Sequence, residues 1–278
     1  MSFLDIQRGE APLIVSMPHT GTDIPDDIES RLVSPWLGRK DADWWVHKLY
    51  DFAPMLDATT IRTQISRTVI DVNRDPSGAS LYPGQTTTEL CPTTTFDGEA
   101  LYRPGQAPDE AEITSRRERY FTPYHTALQE EVDRLRARHD RVVLWEAHSI
   151  RSQIPRLFEG ELPNLNLGTN GGTTCGSELA KGIDYCIVES ALPYSRVFNG
   201  RFKGGWTTRH YGQPGRGVHA MQLELSCRTY MREPSGAVTE TNWPVAYDAE
   251  FAAPLRGLLT QMLKMCIAFA IGKYHEPH

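Results

Sequence analysis

The chain is predicted to fold as an α/β layered domain. Segments rich in β-branched and apolar residues alternate with segments of helical period, and two of the apolar runs end in a histidine. No linker-like composition divides the 278 residues, so residues 1–278 are expected to form a single domain.

The first strand is predicted over 12–18, an apolar run that stops at Pro18-His19-Thr20-Gly21. A helix follows over 41–53, with Asp41 as its natural N-cap and the amphipathic stretch Asp43 to Tyr50 as its body. Strands are expected over 57–65 and 67–73; the second is apolar in its middle, with Arg67 at its start and Asn73-Arg74 at its exit. Residues 75–108 are rich in Pro, Gly and Thr, which predicts a long, partly ordered loop over the site. The helix over 109–138 opens on Asp109, Glu110 and Glu112 and closes on Arg134, Arg136, Arg138 and His139, charges that suit its dipole; Pro123 should kink or split it. Strand 141–147 runs into His148, and further strands are placed at 164–168, 195–198 and 218–225. The glycine-rich stretch 168–176 lacks the spacing of a phosphate loop and reads as a turn and N-cap before a helix over 175–189. The last helix, 248–271, can be capped by Asp248 and carries an apolar stripe from Phe251 to Leu263.

A net charge of −6 gives no general attraction to nucleic acid or to an anionic membrane, so neither is expected as a partner. The longest apolar stretch, Met262 to Ile271, contains Lys264 and is too short to span a bilayer. The N-terminal residues lack the pattern of a secretory leader, and a cytoplasmic location is expected. Five widely spaced cysteines without a Cys-x-x-Cys pair read as free thiols. Cys227 lies near Glu224 in sequence, but nothing local marks it as a nucleophile. Composition sets no oligomeric state.

Three constellations carry chemistry. His19 and His148, each at a strand end, can hold a divalent metal if a carboxylate joins them. An isolated histidine in such a place is more often a core residue; the pair favours metal. Asp43, Asp41 and Asp23 are the candidate carboxylates, with Asp43 preferred at a loop-to-helix junction, and His47 lies one helical turn further on. Arg67, Asn73 and Arg74 offer guanidinium forks suited to a carboxylate, although either arginine alone reads as a surface residue. In the third, a glycine-rich clamp from Asn199 to Gly212 carries Lys203 and Arg209 ahead of a strand in which Gln222 and Glu224 share a face. An acid interrupting an apolar strand is salt-bridged, metal-linked or a general base.

The ordered set Ser16 to Gly21 with Ile24-Pro25, Asp43-Trp44 with Leu49-Tyr50, Ser66-Arg67 through Arg74, Leu81-Tyr82-Pro83, Glu146 to Ser149, Asn199 to Gly205, Thr208 to Gly212, and Gln222-Leu223-Glu224 with Thr229 to Met231 resembles the N-formylglutamate deformylase (amidohydrolase) family. The resemblance implies a zinc-exopeptidase-like (phosphorylase/hydrolase-like) fold with a mixed sheet between helices, related to zinc carboxypeptidases and aspartoacylase-like deacylases. It implies zinc-dependent hydrolysis of N-formyl-L-glutamate to formate and L-glutamate, a step of histidine degradation. By that analogy His19, Asp43 and His148 hold Zn2+ or another divalent metal, and Glu224 is the general base. Arg67, Asn73 and Arg74, with Lys203 or Arg209, bind a small dicarboxylate. The carboxypeptidase-like relatives carry a glutamate three residues after the first histidine; Thr22 stands there in this chain, so the carboxylate comes from elsewhere. The alternatives are a zinc-dependent deacylase of another N-acyl amino acid or small peptide, and a non-catalytic, metal-dependent protein that binds an acidic amino acid.

Overall fold

A computed structural model describes residues 3–80, 84 and 87–273. Among the described residues seven strands form one sheet: β1 (Leu4–Gln7), β2 (Leu13–Met17), β3 (Thr59–Thr63), β4 (Val142–Ile150), β5 (Leu165–Gly168), β6 (Arg196–Phe198) and β7 (Val218–Ser226). Their order is β1-β3-β2-β4-β7-β5-β6. The pairs β2·β3, β2·β4, β4·β7 and β5·β6 are parallel, whereas β1·β3 and β5·β7 are antiparallel, so the sheet is mixed.

The helices are α1 (Asp26–Glu29), α2 (Leu37–Lys40), α3 (Val46–Leu49), α4 (Glu110–Arg116), α5 (Thr122–Arg136), α6 (Ser177–Glu189), α7 (Trp206–Tyr211) and α8 (Ala249–Ala270). Every residue of β2, β4 and β7 is buried, as expected of parallel strands covered on both faces. Alternation along each strand divides the core. Leu13, Val15, Val143, Trp145, Met221 and Leu223 pack beneath α6 and α8, while Ile14, Val142, Leu144 and Ala220 pack with Tyr124, Leu128 and Leu135 of α5. Among the described residues no helix is long and apolar enough to cross a membrane.

Two predicted elements differ. Residues 67–73 form consecutive turns instead of a strand. Val69 N–H bonds to the Ser66 carbonyl, Arg74 N–H to the Asp71 carbonyl, the Ser66 hydroxyl accepts from Thr68 N–H, and the Asp71 carboxylate accepts from Asn73 N–H. These short-range side-chain bonds win over sheet pairing, and Val69, Ile70 and Val72 are buried all the same. The helix expected over 41–53 shrinks to α3, because Trp45 sits in the left-handed region at φ 64° and Asp41 accepts from Phe96 N–H rather than capping. The edge strand β1 was not anticipated. The helix from Asp109 runs on as α4, a five-residue π-helical segment (Arg117–Phe121) and α5. The widened turn lies just before Pro123, whose ring and missing N–H disfavour regular α-helix there.

Candidate active site

β2 ends at Met17, and the following turn holds His19 at the C-terminal edge of the parallel strands. His148 and Glu224 stand in register on adjacent β4 and β7, on the same face and at the same edge. Asp43 is brought to them by its own backbone: its N–H donates to the His19 carbonyl at 2.9 Å. His19, Asp43 and His148 are all buried, and one ligand atom from each lies within 4.8 Å of the others. Asp43 Oδ2 is 3.0 Å from His148 Nδ1 and 3.7 Å from His19 Nδ1. His19 Nδ1 and Asp43 Oδ1 are buried with no hydrogen-bond partner, an arrangement that a cation would satisfy. Asp23, Asp41 and His47 lie outside this group.

Asp71 is the residue that sequence reasoning left without a role. Its Oδ1 is 2.7 Å from His19 Nε2, and its Oδ2 accepts from Arg67 at 2.6 Å and lies 3.3 Å from Arg74 Nε. The available signal was a carboxylate inside an apolar run bracketed by two arginines. Burial pushes the Asp71 carboxyl upward, but His19, Arg67 and Arg74 outweigh it and hold it well below the ordinary value. Burial and the Arg67 charge lower His19 to about 4, so it is neutral at pH 7. For His148 burial acts downward, yet the hydrogen bond and charge of Asp43, with Glu224 and Glu146, raise it to about 9. Burial raises Glu224 to about 7. Glu146, also raised by burial to about 7, lies behind His148 and accepts from the Ser16 hydroxyl at 3.2 Å.

A cavity opens over this group, lined by His19, Arg67, Asn73, Arg74, His148 and Glu224. Thr87, Thr88 and Phe96 bring part of the 75–108 connection into its wall, and the Arg67 guanidinium lies 4.7 Å from the Phe96 ring centroid. Leu81-Tyr82-Pro83 lies outside the described residues. From the glycine-rich segment, Arg201 and Phe202 line the cavity, whereas Lys203 is exposed and Arg209 donates through Nε to the Gly204 carbonyl; neither of these two is in the lining. Asn73 lies 3.0 Å from His148 Nε2 and accepts from Thr207 N–H at 2.9 Å. All five cysteines are free, and burial pushes the Cys227 thiol far up, the opposite of the lowered thiol of an activated cysteine.

The family model and two named relatives place the chain among hydrolases acting on an amide C–N bond. The chain belongs to the N-formylglutamate amidohydrolase family, whose model matches residues 11–231. It is 43% identical over 271 residues to an N-formylglutamate deformylase of Pseudomonas aeruginosa, with 98% of each chain covered. It is also 43% identical over 273 residues to one of Pseudomonas putida, again with 98% of each covered. The crystal structure of an N-formylglutamate amidohydrolase from Ralstonia eutropha JMP134 superposes with a TM-score of 0.78 at 24% identity, over 97% of this chain and 99% of that one. A gene product of Agrobacterium tumefaciens gives 0.69 at 17% identity, over 97% and 96%. These two structures bear on the fold alone.

Proposed function

We propose that this protein hydrolyses N-formyl-L-glutamate to formate and L-glutamate, with His19, Asp43 and His148 holding a zinc or other divalent ion and Glu224 acting as general base. The observation that carries the reading is the buried His/Asp/His group beside Glu224 in an arginine-lined cavity, in a chain closely similar to two named deformylases. A divalent ion at that group would supply a Lewis acid for the formyl carbonyl and lower the pKa of water. Glu224 takes the proton from the attacking water as the carbon–oxygen bond forms, and returns it to the nitrogen as the carbon–nitrogen bond breaks.

Arg67, Asn73 and Arg74 hold one substrate carboxylate, all three lining the cavity. Arg201 takes the other in place of Lys203 or Arg209, because it lines the cavity and they do not. Purified protein supplied with zinc should release formate from N-formylglutamate and leave N-acetylglutamate and N-succinylglutamate far less changed; no formate release overturns the proposal. Arg74→Ala should raise KM by about 10- to 100-fold and change kcat much less, as expected when a charged hydrogen bond that holds substrate and transition state alike is lost. Steady-state kinetics with an unchanged KM would move the carboxylate site away from Arg74.

A further inference from the structure

Gln222 and Glu224 stand two residues apart on one face of β7, and both line the cavity. The Gln222 side chain is buried, and its amide has one orientation open to it. Gly205 N–H donates to Gln222 Oε1 at 2.7 Å, which turns Nε2 toward Glu224 Oε2 at 3.3 Å. Gly205 packs closely on the same segment's asparagine partner, since a Cβ there would lie 2.3 Å from the Asn73 amide nitrogen. Asn73 is in turn the residue beside His148 and accepts from Thr207 N–H. One backbone segment, 205–207, therefore ties the glutamine to the asparagine that touches His148.

We propose that Gln222 is a positioning residue: its amide fixes the Glu224 carboxylate through Oε2 and leaves Oε1 to receive the proton of the attacking water. The two oxygens of Glu224 then have different tasks, and the base is held in the same frame as His148. Without the amide donor the buried carboxylate can rotate away from the line between water and leaving nitrogen. This inference rests on Glu224 being the base.

The test compares two variants. Gln222→Glu keeps an acceptor for Gly205 N–H but presents a second acceptor to Glu224, whereas Gln222→Met removes both bonds at similar volume. With N-formylglutamate as substrate, Gln222→Glu should lose about 10- to 100-fold in kcat, the scale of a misplaced catalytic group. KM should change by less than about threefold, because ground-state binding is untouched. Bound zinc by elemental analysis should match wild type, and the thermal midpoint should fall while the protein stays folded at the assay temperature, because a second buried carboxylate stands beside Glu224. If Gln222→Glu does not fold, the same readouts on Gln222→Met decide. A kcat within about twofold of wild type, or a kcat loss that follows zinc loss or a raised KM, overturns the positioning role. Glu224→Gln separates the two readings: activity surviving in that variant removes the base assignment, whereas a silent Glu224→Gln with a fully active Gln222→Glu removes only the role of Gln222.

Discussion

Replacing Glu224 with glutamine is expected to lower kcat for N-formylglutamate by about 10²- to 10⁴-fold, the range for loss of a general base. Glutamine keeps the volume and the neighbouring hydrogen bond but cannot take a proton. The side chain lies outside the His19, Asp43 and His148 group, so bound zinc should stay at the wild-type level, and elemental analysis checks this beside the kinetics. The pH dependence sharpens the assignment. Burial raises the carboxyl to about 7, with Asp43 acting in the same direction and His148, Arg67 and Arg74 acting against it. A base must be unprotonated, so kcat/KM should rise with pH on the acid side and fall as the carboxylate takes up its proton; a cation at the site would move that limb lower. In the glutamine variant the limb should vanish from the residual activity. Activity within about tenfold of wild type would place the base elsewhere.

The parts of the candidate site carried by regular strands were legible in the sequence, because a polar residue that ends or interrupts an apolar run stands out; His19 follows β2, whereas His148 and Glu224 lie inside β4 and β7, two residues before their ends. His19, His148 and Glu224 all lie on or just beyond such strands. Asp43 was legible from its place ahead of a helix, and it stands in the loop before α3, but the contact that ties it to His19 was not. Its N–H donates to the His19 carbonyl, and the left-handed Trp45 cuts the expected helix short. The segment 67–73 misled because its apolar residues are as buried as those of a strand; the turns come from Ser66 and Asp71 side chains bonding to nearby backbone, which hydrophobic patterning does not register. Lys203, Arg209 and Arg201 lie within nine positions of one another, and which of them faces the cavity depends on backbone reversals that glycines permit but do not specify. Long-range pairs were the least visible of all. The partner of His19 is Asp71, 52 residues away, and no local pattern encodes that contact.

That pair gives the second large effect. On the proposed reading, in which His19 holds zinc, Asp71→Asn should weaken zinc binding by about 10- to 100-fold, the scale on which altering the partner of a liganding histidine acts. An asparagine holds His19 Nε2 by a neutral bond and no longer carries the charge that fixes the ring's proton on that nitrogen, so the partnerless Nδ1 ceases to be the unprotonated side. The same substitution leaves Arg67, which is buried, and Arg74 facing a neutral group, and loss of one member of a buried charge cluster costs about 3–5 kcal/mol of stability. The sign of the pH effect follows from the direction of the shift. A carboxyl held well below its ordinary value stabilises the folded state above its unfolded pKa, about 3.9, and that contribution is lost as pH falls through the lower folded value. Wild type should therefore lose stability on acidification below about pH 4 in a way that Asp71→Asn does not. Denaturant titrations across that range, with zinc affinity measured by competition with a chelator, test both halves. Unchanged zinc affinity in a destabilised variant would reduce Asp71 to a structural counter-ion for the arginines, and the orientation of His19 would then have to come from the turn at Pro18 alone.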